Sequence, residues 1–387
     1  MAINLMVQIY QRIRLIIMKT QKITKPSYSK DKALTLKFNI LRKEVFEEVE
    51  RLKPQRERII RLKAILFPLG YILSFISLLT FGNNPFIFYS CYIAIGLLLI
   101  VNFASLIHDS VHHAFTSNKT INKLYMLLFD LMGANSYIWQ IRHNRLHHPF
   151  PNVMGWDSDF EQSPIVRVFP QAPFKKFQRY QHIYLPFIYP LYLFNWLLVR
   201  DFKDFYSDKA IVRKIIGYNI PKIEYFKLFF FKALFIFNML ILPKLILEIS
   251  WKQTFIGFLV MMFTASITSL IILLSPHASL NSEFPEANES GEFDHAWFVH
   301  QLLVTNDVSW DNWFTRFFLG SFNYHIAHHI FPNISSIYLP EVTAKIEQFA
   351  KENDLPYRKF GLFESLKGHW LLLKHNAFHE NIFEETM

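Results

Sequence analysis

PFIFYSCYIAIGLLLIVNFASLIHDSVHH, residues 85–113, is an apolar run that carries no charge until it ends in His108-Asp109 and His112-His113. Crossing the hydrocarbon of a bilayer takes about 20 helical residues, and the stretch from Pro85 to Ile107 is long enough. A span that delivers imidazoles at its end makes the chain a membrane protein with polar chemistry gathered at one face. Composition agrees, with hydrophobic residues at 51% of 387 and a mean hydropathy of +0.16, more than a soluble core requires.

Upstream, Gly82-Asn83-Asn84 is turn-like and Ala64–Phe81 is a second apolar segment, so the two read as a hairpin of spans. Before them, residues 30–63 are densely charged, with Leu41, Val45, Val49 and Leu52 at helical spacing until Pro54 interrupts the pattern. That stretch reads as an interfacial helix. Met1–Thr20 lacks the basic, apolar, small-residue order of a cleaved signal peptide, and Met18 is an alternative start.

Downstream, a polar and aromatic stretch runs from His108 to about Gln181, followed by apolar segments at Ile183–Val199, Tyr225–Leu247 and Thr254–Leu274. A last histidine cluster lies after all three and must reach the same side as the earlier ones, so only an even number can cross. Ile183–Val199 is short and holds Pro186 and Pro190, which reads as interfacial or re-entrant. The expected fold is therefore all-α: a multi-pass bundle of about four spans with a cytosolic helical cap carrying the histidines. The chain divides into an N-terminal segment 1–63, a membrane domain 64–340 and a C-terminal cytosolic tail 341–387.

Charge places the cap. The stretch between the second and third spans carries Lys119, Lys123, Arg142, Arg145, Lys175, Lys176, Arg179, Lys203, Lys209, Arg213 and Lys214, and the opposite loops carry almost none. By the positive-inside tendency the histidine face is cytoplasmic. The net charge of +10 reads as these orienting charges and not as a nucleic-acid surface, since no basic-aromatic motif accompanies it. The single cysteine, Cys91, lies inside a span, which excludes a disulfide framework or a thiolate-held cluster within the chain.

Nine of the sixteen histidines fall in three windows: His108, His112 and His113; His143, His147 and His148; His325, His328 and His329. Residues three or four apart share a helix face, so His108 with His112, His143 with His147, and His325 with His328 can each converge on one ion. The doubled histidines turn a further imidazole toward a second position, as a two-metal centre requires. Imidazole suits zinc, copper, nickel and iron alike, so the ligands leave the metal open.

His-x-x-x-His-His at 108, Asn144 inside His-x-x-x-His-His at 143, and Phe322-Asn323-Tyr324-His325-Ile326-Ala327-His328-His329-Ile330-Phe331-Pro332 resemble the three histidine boxes of membrane fatty-acid desaturases. The resemblance runs from about Leu106 to Pro340 and takes in Asp157 and Asp159, Ser275-Pro276-His277, and His300-Gln301. It implies a centre of two iron ions, with dioxygen as co-substrate and a double bond inserted into an acyl chain. By position, the ligands it implies are His108, His112, His143, His147, His148, His325, His328 and His329, with His277 added. Asp157, Asp159, His300 and His113 are candidates to orient ligands from behind; Asp109 is a weaker one.

Relatives that act between the carboxyl group and an existing double bond usually open the third box with glutamine, where this chain has His325. Many also carry a fused cytochrome b5 domain with His-Pro-Gly-Gly, a motif not found here, so the expected donor is separate: a ferredoxin, or cytochrome b5 with its reductase. The acyl group would be linked to coenzyme A, acyl carrier protein or a phospholipid of the membrane. The compartment expected is a bacterial inner membrane. Arg142 and Arg145 suit a phosphate of such a head group or anchoring at the bilayer surface, and Asn306 and Asn323 suit a bond to water or iron, or a turn. Two other readings stand beside this one: a hydroxylase of the same di-iron type acting on fatty acids, alkanes, sphingolipids or carotenoids, and a non-catalytic zinc-binding transporter or sensor.

Overall fold

A computed structural model describes residues 24–161 and 163–378; the readings of Met1–Thr20 and of the last nine residues lie outside them. Helix α1 spans Lys32–Phe81, with Asp31 as its cap accepting from the Leu34 amide at 2.9 Å. It runs unbroken through Pro54 and Pro68, so the expected break at Pro54 does not occur. A proline inside a helix forfeits the bond to the carbonyl four residues back, but Pro54 is exposed and water can take that carbonyl. The flanking Leu41, Val45 and Leu52 are buried against the region of the last histidine cluster.

Helix α2, Pro85–Asn102, starts at an Asn84 cap with proline in its first turn. It passes through a π-turn, Phe103–Ile107, into the short helix His108–Val111. Then follow α3 at Lys119–Leu131, α4 at Ser136–Arg142, α5 at Gln181–Ile188, α6 at Lys222–Ile236 and α7 at Trp251–His277. The chain closes with α8 at Trp297–Val304, α9 at His325–Ile330, α10 at Leu339–Glu352 and α11 at Leu362–Phe378. Strand structure among the described residues is limited to two parallel pairs, Ser27–Tyr28 with Glu292–Phe293 and Asp307–Val308 with Lys359–Phe360.

Among the described residues, five helical stretches are long and apolar enough to cross a membrane: Lys32–Phe81, Pro85–Val111, Lys176–Ile215, Lys222–Ile246 and Trp251–Leu274. The third is broken into short α, 3-10 and π pieces, and both its ends are tied to the histidine face. Gln181 donates to the Leu373 carbonyl at 2.8 Å, and Arg200 pairs with Asp159 at 3.0 Å. A segment whose two ends meet the same face dips into the bilayer and returns, which leaves four crossings.

The helical bundle is drawn tight where α2 meets α7. At Gly96 an added Cβ would stand 2.6 Å from the Met261 carbonyl oxygen, and at Gly257 it would stand 2.5 Å from the Tyr92 ring. Small residues at such crossings let backbones approach closely, the main source of packing energy between helices in lipid. The expected boundaries at 63 and 340 fall inside α1 and α10. Residues 362–378, expected as tail, are a docked helix: His369 Nδ1 donates to the Ala278 carbonyl at 2.8 Å, and Asn376 Nδ2 to that of Val168 at 2.6 Å. Replacing Gly96 by alanine should overpack the α2–α7 crossing by about 1–3 kcal/mol, read as a lowered thermal midpoint of the detergent-purified protein, while Gly361→Ala, where an added Cβ meets nothing within 4 Å and the backbone is not in the left-handed region, serves as the comparison.

Candidate metal centre

Four separate parts of the chain bring imidazoles to one place. His108 and His112 follow the π-turn at the end of α2, and His277 is the last residue of α7. His143 and His147 bound a second π-turn continuing α4, with His148 beyond it, while His325, His328 and His329 lie on α9. All are buried except His112, which is half-buried.

They sort into two sets of four whose nitrogens lie within 4.8 Å of one another: His108, His112, His143 and His328; and His147, His277, His325 and His329. His148 stands between, with Nε2 3.2 Å from that of His143 and 3.1 Å from that of His328, its ring stacked on His329 at 4.5 Å. Of the three pairings expected from spacing, only His108 with His112 stays within one set. The π-turn changes the bonding step from four residues to five, so the His148 amide bonds the His143 carbonyl, and His143 and His147 part to different sets of four. On α9, residues four apart diverge by about 40° and residues three apart by about 60° in the other sense, so His325 sides with His329 and His328 faces the other set. A third set, His143, His147 and Asp159, also falls within the same reach.

The donors fit a cation. His143, His147 and His329 each turn Nδ1 to an acceptor: Asp159 at 3.1 Å, Asp157 at 3.0 Å and Gln301 Oε1 at 3.1 Å. A neutral imidazole that donates from Nδ1 keeps a bare lone pair on Nε2, and these lone pairs point inward. His143 Nε2 faces two others, those of His108 and His148, each at 3.2 Å. His277 Nε2 likewise faces those of His325 and His329, each at 2.9 Å. A ring nitrogen has one lone pair or one proton, so it cannot bond two such neighbours by hydrogen bonds. Two imidazole nitrogens at about 2.1 Å from one ion and about 90° apart would stand about 3.0 Å apart, which is the spacing observed.

Burial and the neighbouring rings hold His148, His325, His328 and His329 well below the ordinary imidazole range, so they are neutral and free to ligate. His143 is also lowered, burial outweighing Asp159. At His147 burial is the largest single effect and pulls down, but the bond and charge of Asp157 with the charge of Asp159 together raise the ring. Asp159 is lowered against its own burial by the bond from His143 and the guanidiniums of Arg200 and Arg142.

Of the other residues singled out in the sequence, Asp157 and Asp159 each bond an imidazole of the two sets, His147 and His143, at Nδ1. His300 does not touch the imidazole sets: its Nε2 donates to the Pro151 carbonyl at 2.9 Å, and Nδ1 faces His295 Nε2 at 2.9 Å. His113 is exposed, at a positive φ of 57°. Asp109 accepts from the Ser335 hydroxyl and from the Ser336 amide and hydroxyl, fastening the first cluster to the chain beyond the third. Asn306 bonds the Pro276 carbonyl and Ser282, and Asn323 is buried without a side-chain partner. Arg142 is fully buried among Asp159, Asp201 and Asp204, which rules out both a phosphate contact and surface anchoring; Arg145 is exposed. Sequence reading missed the bond of Gln301 to His329 and the role of Asn152. Asn152 Nδ2 reaches the carbonyls of His277, Glu283 and Val304, a long-range contact that no local spacing signals.

Beside the histidines opens a cavity of about 460 Å³. Its walls include His108, His143, His147, His277 and His325, then Phe103, Trp139, Trp196, Leu191, Leu198, Leu270 and Leu274. An apolar slot with a few convergent nitrogens at one place suits a long hydrocarbon with one reacting position.

The sequence model of the fatty acid desaturase family matches residues 83–361. Similar proteins include an sn-1 linoleoyl-lipid 6-desaturase of Synechocystis sp., 30% identical over 260 residues covering 67% of this chain and 71% of that one. An acyl-lipid (8-3)-desaturase of Physcomitrium patens is 25% identical over 338 residues, 86% of this chain and 69% of its own. A Delta(5) fatty acid desaturase A of Dictyostelium discoideum is 27% identical over 317 residues, 78% and 66%. The match spans both imidazole sets and all of the cavity's lining residues but His369, and the chain belongs to the fatty acid desaturase family.

Proposed function

We propose that the histidines hold two iron ions, His108, His112, His143 and His328 at one and His147, His277, His325 and His329 at the other, with His148 between. The desaturase would use them with dioxygen on an acyl chain carried by a membrane lipid. The observation that carries this reading is the convergence of imidazole Nε2 atoms at 2.9–3.2 Å on the wall of an apolar cavity. The lipid carrier is taken from the relatives, two of which are named for acyl-lipid substrates. When bound, the iron pair would supply the reduction of dioxygen and the oxidising power that removes hydrogen from two neighbouring methylenes.

The protein's share is position and dryness. Asp157, Asp159 and Gln301 fix the tautomers and orientations of His147, His143 and His329. The cavity wall holds a chain that has no functional group near the reacting carbons, so its depth sets which carbons meet the centre. Reduction of dioxygen to water takes two electrons more than the substrate gives, and a separate ferredoxin, or cytochrome b5 with its reductase, would bring them. We place the histidine face on the cytoplasmic side of a bacterial inner membrane. The basic stretch between the second and third crossings supports the cytoplasmic side.

A host expressing the chain with a redox partner should gain an unsaturated fatty acid by gas chromatography with mass spectrometry, and His147→Ala should abolish it; a hydroxylated product instead would move the reading to a hydroxylase. Purified protein should carry about two irons per chain, and stripping them with a chelator should abolish turnover until ferrous iron is returned. Zinc in place of iron in the active protein would overturn the assignment. His277→Ala should lose metal, His113→Ala should keep it, and Asp157→Asn should weaken metal retention or turnover by about 10–100-fold.

A further inference from the structure

Behind the His143 ring lies a set of buried charges that the reaction described above does not use. Asp159 Oδ2 accepts a hydrogen bond from His143 Nδ1 at 3.1 Å. Its other oxygen, Oδ1, meets Arg142 Nε at 3.1 Å and Arg200 Nη2 at 3.0 Å. Arg142 goes on to Asp204 at 2.6 Å and Asp201 at 3.6 Å, and Asp201 meets Lys232 of α6 at 2.9 Å. Three cations face three anions, so the set is neutral and can stay buried as a unit.

The same two guanidiniums have a second contact. Arg142 Cζ lies 4.5 Å and Arg200 Cζ 5.0 Å from the ring of Trp196, and Trp196 lines the cavity. Trp196 and Arg200 bound one π-turn, and the Trp196 carbonyl accepts from Lys232 at 3.2 Å. One end of the charge set is thus a candidate metal ligand, and the other is the wall against which an acyl chain would lie.

We propose that Arg142 and Arg200 are positioning residues that join these ends: they fix His143 through Asp159 and fix the acyl chain through Trp196, so the carbon to be oxidised is held in register with the metal. This rests on the di-iron desaturase reading above. The planar guanidinium is needed because it bonds a carboxylate at its edge while presenting its face to an aromatic ring, which an ammonium cannot do together. Lysine at 200 would keep the charge beside Asp159 and lose the hold on Trp196. Glutamine would lose both, and leucine at 196 would remove the platform while leaving the ion pairs in place.

The test uses the full chain in lipid nanodiscs, each variant first shown monodisperse by size exclusion, with two readouts. One is cobalt(II) affinity and the ligand-field absorption of the cobalt-loaded protein; the other is the double-bond position of the product made in a host. Arg200→Gln should weaken cobalt binding by about 10–100-fold, shift its bands, and spread the double bond over neighbouring positions. Arg200→Lys should bring cobalt affinity back to within a few fold of the parent with the positional spread remaining, and Trp196→Leu should spread the position with parent cobalt bands. Parent affinity and a single product position in Arg200→Gln would overturn the proposal, as would a single position in Trp196→Leu. Should the parent chain itself form no new double bond, the desaturase reading is what fails, and the cobalt readout still judges the link from Arg200 through Asp159 to His143.

Discussion

An imidazole nitrogen has one lone pair, and bare lone pairs gathered at about 3 Å repel unless something positive lies among them. The interior of this protein is built around that constraint. His143, His147 and His329 are committed by their Nδ1 partners to point bare Nε2 atoms at one another's neighbours, and burial keeps most of the cluster from relieving the repulsion by taking up protons. A buried polar atom without a partner costs about 1–3 kcal/mol, and several such atoms share this one site. Two cations would turn the same arrangement from a penalty into a gain, which makes metal loading and folding of this region linked events.

The imidazoles come from the ends of α2 and α7, from the π-turn after α4 and from α9, so the framework must hold four parts of the chain that are distant in sequence. Each is cross-braced by a buried polar side chain. Asp109 ties the first cluster to Ser335 and Ser336. Asn152, in the left-handed region at φ 57°, ties the second to the end of α7 and to α8 through three carbonyls. Asp307 accepts from the Ile326 amide at 2.8 Å and the Tyr357 hydroxyl at 2.6 Å, fixing the start of α9; burial pushes its carboxyl up to about 6. Leaving a buried polar group of this kind without its partner costs about 1–3 kcal/mol, so these braces add to what side-chain packing alone supplies.

Much of this was legible in the residues. The spans and the convergence of three histidine clusters follow from apolar length and from ligand spacing, which are local properties of the sequence, whereas His277 enters only through the resemblance of Ser275-Pro276-His277 to the desaturases. The partition between the two sets was not legible, because a π-turn at His143–His147 shifts the angular step by a residue and nothing in the local composition marks it. Arg142 was misread for a related reason: an arginine next to a histidine cluster in a basic stretch looks exposed until Asp201 and Asp204, about sixty positions on, fold over it. Pro54 was read as a break because proline usually ends helices, and here solvent exposure on one side and burial of Leu52 on the other let the helix continue. The helix at 362–378 has few charges and mixed apolar positions, and only its partners at Ala278, Val168 and Gln181 show that it is part of the site's wall.

The segment from Gln181 to Arg200 explains how a polar centre and a hydrocarbon substrate share one face. A crossing helix would set one of its ends on the far side of the membrane, whereas this one returns, anchored by Gln181 at one end and Arg200 at the other. One flank lines the cavity, and residues such as Ile183 and Phe187, 55% and 80% exposed, face outward into what would be lipid. Apolar surface of that extent is stable only in contact with hydrocarbon, so the wall of the cavity is also a wall against the bilayer. An acyl chain already in the leaflet could then reach the imidazoles without passing through water, which fits a lipid-borne substrate better than one carried by a soluble protein.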